Sequence, residues 1–275
     1  MISATVRRLN TGLALLYGLL GLVLFLTPTW SAANFSWKIS PFVAMTMGGW
    51  CLGNGYFAWE TVRLGRWTAV YLLQLYLGVF GVLETAVLIL FRDKLILNVP
   101  LALPYILALV LTVITAVFAL LDWQKQHPSS KNHSFPNWVR VIVVGFVGFV
   151  GLIAFLVLRA QSGGLATEGG AFPEPLTLFT LRAFGSFYTA LTIGAIPAIW
   201  DRHISGWMAY TRAGLALILT ILLACLLNIS KFDFANHPGQ WLYFGAYVAA
   251  ALVAIGLLWL YRPHTALGHT LVEQR

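Results

Sequence analysis

The sequence predicts an all-α polytopic membrane protein with about eight transmembrane helices in two parallel four-helix repeats, and three observations lead there. First, 59% of the 275 residues are hydrophobic and only 9% are charged, against about 45–50% and 25% in an ordinary soluble domain. Mean hydropathy is +0.81. Second, apolar runs of about 20 residues, enough to cross a hydrocarbon core of about 30 Å, recur along the chain between short polar connections. Third, motifs recur in the same order in the two halves.

Apolar length and polar punctuation place the spans at about 11–28, 41–59, 67–91, 99–121, 139–158, 176–200, 207–228 and 241–261. The first follows Arg7 and Arg8 and runs LALLYGLLGLVLFL toward SAA, which has the layout of a secretory signal. Its match to a later span assigns it instead as a retained first helix. The second carries Asn54 within MGGWCLGNG, where Gly49 and Gly53 form GxxxG. Glycines at that spacing read as a helix contact, with a backbone-lined pocket at Asn54 as the second reading. The third opens at Trp67 and carries Gln74 and Glu84. Pro104 near the start of the fourth and Pro197 near the end of the sixth kink their helices or mark where they stop. The sixth span holds Arg182, with Ser186, Ala190 and Gly194 at small-residue spacing. The seventh opens at Trp207 and holds Arg212.

The duplication rests on four matches. YGLLGLVLF and VGFVGLIAF align Gly18 with Gly148 and Gly21 with Gly151; Gly48 matches Gly185, Trp67 matches Trp207, and Tyr105 matches Tyr243. The resulting organisation is a first repeat over 1–121, a polar cytoplasmic linker over 122–138, and a second repeat over 139–275 with a short tail. An even number of spans per unit makes the copies parallel. About ten Lys and Arg residues on one set of loops against about five on the other place both termini in the cytoplasm, in the inner or plasma membrane. Eight tryptophans near span ends, among them Trp30, Trp37, Trp138, Trp207 and Trp241, read as an aromatic belt.

Composition excludes several functions. The net charge of +8 is spread singly between apolar runs, so it reads as topology signal and headgroup contact, and no nucleic acid is expected as a partner. Every histidine falls in a loop or tail and no span contains lysine, so bis-histidine haem and a retinal Schiff base have no residues to hold them. Cys51 and Cys225 lie in apolar runs as small hydrophobes. No metal, cofactor or catalytic residue is expected.

Charge inside lipid is costly, so intramembrane polar residues are the candidate sites. Glu84 lies about 10 Å below its span's far boundary, on a stripe with Gln74, Gly78, Gly81, Thr85 and Leu88 that should face other helices. Arg182 enters its own span at nearly the same depth, and neither has a like-charged counterpart in the other repeat. The expectation is therefore one ion pair, Glu84 with Arg182, joining the repeats as a static clasp or, second, as a transport site. Arg212 lies nearer the cytoplasmic face, at the level of Asn54, Glu60, Asp122 and Asp201. There snorkelling to the headgroups competes with a specific pair.

Through LYGLLG, MTMGGWCLGNGYFAW and RLGRW in the first copy, the four-helix unit resembles the DoxX-like and related four-helix membrane proteins of bacteria, a resemblance that covers each half once. The resemblance implies a bacterial inner-membrane location. No functional residue carries over, because neither copy has the acidic residue of the family's second span. The expected role is non-catalytic, an accessory, assembly or scaffold subunit in contact with membrane lipids and other membrane subunits. The alternatives are a small-solute or proton-coupled transporter with its site between the repeats, and a membrane enzyme acting on a lipid or quinone.

Overall fold

A computed structural model describes residues 1–126, 136–161, 170–200 and 204–261. Among these the ordered elements are helices: α1 (Ala4–Leu26), α2 (Pro28–Ala33), α3 (Pro41–Leu64), α4 (Trp67–Leu90), α5 (Ala102–Gln126), α6 (Asn137–Arg159), α7 (Leu178–Ala195), α8 (Ile204–Leu227) and α9 (Gly239–Leu260). Six of them, α1, α4, α5, α6, α8 and α9, are long and apolar enough to cross a membrane. The chain is a multi-pass, membrane-embedded all-α protein.

Local chemistry sets the ends. Ser3, Ser40 and Thr177 accept hydrogen bonds from the backbone N–H three residues on, the N-cap arrangement that satisfies an orphan donor of the first turn. Gly65 adopts a left-handed conformation (φ 61°) and ends α3, which lets α4 start after a two-residue turn. Pro104 falls in the first turn of α5, where its missing N–H costs nothing. Pro197 stops α7, and the chain continues as a 3-10 turn over Ile196–Ile199. Several boundaries differ from the sequence reading: α1 starts at Ala4 rather than 11, α3 ends at Leu64 rather than 59 and α7 at Ala195 rather than 200, while Asp122–Gln126 extend α5, and Asn137 and Trp138 open α6, so helix occupies both ends of the expected linker. Its middle, 127–135, lies outside the described residues.

Taken in chain order, α1, α3, α4 and α5 make a first set and α6 to α9 a second, and helix contacts run between the sets as closely as within them. α1 runs along α3 and α6 along α7; α4 packs on α5 and α8 on α9; α3 crosses to α8, α7 crosses to α4, and α4 meets α8 at the centre. Small residues allow the close approaches. A Cβ at Gly21 would lie 2.7 Å from the Leu52 backbone nitrogen of α3, and one at Gly53 would lie 2.6 Å from Leu217 Cβ of α8. Aromatic stacks complete the seam between sets: Trp37 on Phe179 (4.3 Å, 13°) and Trp50 on Phe187 (4.5 Å, 7°). The tryptophan belt divides accordingly. Trp30, Trp123, Trp138, Trp200 and Trp241 are exposed at helix ends, whereas Trp37, Trp67 and Trp207 are buried.

Candidate functional site

The polar residues of the first set largely satisfy one another. Asn10 of α1 and Gln74 of α4 exchange side-chain hydrogen bonds, and Gln74 Nε2 also donates to Thr61 of α3 (3.0 Å). Tyr76 donates to Asn54 Oδ1 at 2.7 Å, leaving Asn54 Nδ2 without a partner. Such a network ties three helices at one level, where lipid offers no competing partner.

Glu84 and Arg182 do not meet. Glu84 is fully buried, receives one long hydrogen bond from Tyr105 of α5 (3.5 Å), and has no partner at Oε1. It lies inside the first set, near Tyr17 and Cys51. The stripe beside it does face helices, but a helix of its own set: Gly78 approaches Ala116 and Gly81 approaches Thr112, both on α5. Arg182 instead donates to the carbonyls of Val157 (3.2 Å) and Ala160 (2.9 Å), capping the C-terminal end of α6, where a cation complements the helix dipole. The two side chains face different neighbours, so the expected clasp is replaced by two separate arrangements.

The ion pair that does join the sets is Glu60 with Arg212. Glu60 is fully buried; Arg63 bonds both its oxygens (2.6 Å each) and Arg212 Nε of α8 bonds Oε1 at 2.7 Å. Snorkelling of Arg212 is thus corrected to a specific contact. The sequence placed both residues at one level but could not choose among the acceptors there, of which Asp201 lies outside the described residues.

Ligand-sized space occurs in the second set. In the first set α1 lies against α5, with the Tyr17 hydroxyl 2.9 Å from Thr112 Oγ1. α6 and α9 make no comparable contact. They meet where Trp138 stacks on Tyr261 (6.3 Å), and beyond that point a cavity of about 720 Å³ opens among α6, α8 and α9. Its volume is within the range of about 300–1,000 Å³ that holds small ligands. On α9 it runs from Leu242 to Leu257, about 22 Å at 1.5 Å per residue. Among the described residues the lining is almost wholly apolar, carrying no carboxylate, imidazole or thiol; its cation is Arg159 at the C-terminal end of α6. Two buried polar atoms on lining residues have no hydrogen-bond partner: Trp207 Nε1 and Thr211 Oγ1. No hydrophobicity signal marked this site, because its lining residues are the ordinary apolar residues of a span. No protein-family model, curated protein or solved structure matches the chain.

Proposed function

We propose that this chain is a non-catalytic accessory protein of a cell membrane that holds an apolar-chain lipid in the cavity of its second helix set. The cavity itself carries the reading: it is ligand-sized, apolar and elongated, and its walls α6 and α9 are spans whose outer faces are exposed. The solvent of such faces is hydrocarbon, so the molecule at hand to fill the space is a lipid chain. A lining without acid, base or nucleophile favours holding over chemistry, since bond making needs such groups within reach of the ligand.

The same reading takes the protein as eight spans in two parallel, related units, with both termini on the cytoplasmic side of a bacterial inner membrane. Support comes from the matched helix pairings and matched places of repeat residues. Gly21 meets α3 and Gly151 meets Thr192 of α7; Gly48 meets Phe25 of α1 and Gly185 meets Leu158 of α6. The likeness of each half to DoxX-like proteins accords with these four-helix sets.

Binding of a fluorescent fatty chain to delipidated protein in detergent tests the proposal. Gly214 lines the cavity, and a Cβ there meets nothing within 4 Å, so Gly214→Phe fills the space without an immediate clash. The wild type should bind the chain and Gly214→Phe should remain folded while losing at least ten-fold in affinity, about 1.4 kcal/mol. Equal binding by the two proteins would overturn the assignment of the site.

A further inference from the structure

We infer that one end of this cavity recognises a carbonyl oxygen on its apolar-tailed ligand, through the indole N–H of Trp207 and the hydroxyl of Thr211. The inference rests on the lipid-holding reading above and names the chemistry of the molecule held.

Trp207 and Thr211 are 4% and 7% exposed, and both line the cavity. They are four residues apart on α8, hence neighbours on one helix face. Trp207 Nε1 and Thr211 Oγ1 each lack a hydrogen-bond partner. Buried polar atoms are nearly always satisfied, so two orphans side by side on a cavity wall call for an acceptor that the protein does not supply.

The first set shows what is missing. There the matched tryptophan, Trp67, donates its indole N–H to Asp122 Oδ2 at 3.1 Å, from the last turns of α5. Asp122 stands seventeen residues after Tyr105, and the residue at that distance after the matched Tyr243 is Leu260. The second set has therefore kept the donor and replaced the acceptor with an apolar side chain. It also separates the helices corresponding to α1 and α5, and so leaves space where a ligand oxygen can stand.

Both donors are uncharged, while Arg159 is at the opposite end of α6. An uncharged oxygen with two lone pairs, as in an ester or quinone carbonyl, matches two neutral donors one turn apart. The tail then extends past Ile218 and Ala250 toward Tyr243. A glycerolipid ester and an isoprenoid quinone share this chemistry.

The test is displacement of a bound fluorescent chain by three competitors of similar tail length: a plain alkane, a fatty-acid methyl ester and an alkyl-tailed quinone. Wild-type protein should prefer one or both carbonyl compounds over the alkane by about ten-fold or more, and whichever compound is preferred identifies the source. Trp207→Phe and Thr211→Val should each reduce that preference, read as the ratio of carbonyl to alkane affinity within the same variant, about three- to ten-fold, the worth of one hydrogen bond. A cooperative thermal transition in detergent together with retained alkane binding shows that the variants have folded with the cavity present. If wild type binds alkane and carbonyl compounds equally, the inference is overturned and the lipid-holding cavity stands. If no competitor binds and Gly214→Phe changes nothing, the cavity reading fails and this inference fails with it.

Discussion

Glu60 is a residue whose surroundings join the two helix sets. Its buried carboxylate holds Arg63 on its own helix and Arg212 on α8, and removing one partner of a buried pair leaves charge uncompensated. Arg212 is 34% exposed and Arg63 is 49% exposed, which discounts the loss by solvent screening. Arg212→Met should lower stability by about 1–2 kcal/mol, read as a fall in thermal midpoint in detergent. Adding Glu60→Met should recover part of it, and additive losses would show that the two side chains do not interact. Glu84 calls for the opposite expectation. One of its oxygens has no donor and the other has a long contact, so Glu84→Gln should leave the midpoint within about 1 kcal/mol of wild type or raise it. Reversing charges, Glu84→Arg with Arg182→Glu, should rescue neither single variant's expression; recovery in the double variant would restore the clasp that the structure does not contain.

Helices α3 and α7 fall outside the six that meet the length and apolarity required of a span, although α3 has 24 residues and α7 has 18. Their surroundings explain it. α3 is shielded by α1, α4 and α8, and α7 by α4 and α6, so neighbours rather than lipid set their composition and admit glycine, Asn54, Glu60 and Arg182. Close approach then depends on particular glycines. Within the GxxG of α1, a Cβ at Gly21 strikes backbone of α3, whereas one at Gly18 meets nothing within 4 Å. Gly21→Ala should therefore cost about 1–3 kcal/mol by overpacking, while Gly18→Ala should lie within about 0.5 kcal/mol of wild type or gain from helix propensity. Similar thermal midpoints for the two variants would contradict the α1–α3 contact.

Across the whole molecule, eight crossings with both termini on one side form a prediction separate from the fold itself. Reporter fusions at the two ends and in the 122–138 segment should all report the cytoplasm, and single cysteines near Trp37 and Asp233 should be labelled from the opposite face. Six crossings, with α3 and α7 failing to span, would place some of these sites on the wrong side. Much of the helix order was legible in the sequence. Each long helix overlaps its expected span, the widest departure being the start of α1 at Ala4 rather than 11, and Gly49 and Gly53 lie against Ile221 and Leu217 of α8. The pairing of intramembrane charges was not legible. Span ends and the 1.5 Å rise give an expected depth along each helix but not the direction a side chain faces, and Glu84 faces α5 while Arg182 faces the end of α6.

By itself, then, the sequence determined that the solvent is lipid, that the chain is helical and roughly where each long helix runs, because these follow from composition and a one-dimensional period. Only the tertiary structure decided that Glu60 rather than Glu84 bridges the sets, and that α6 and α9 stand apart where α1 and α5 touch. Those outcomes depend on which helix neighbours which and on the direction each face points. Both are set by packing of glycines and aromatic rings drawn from distant parts of the chain.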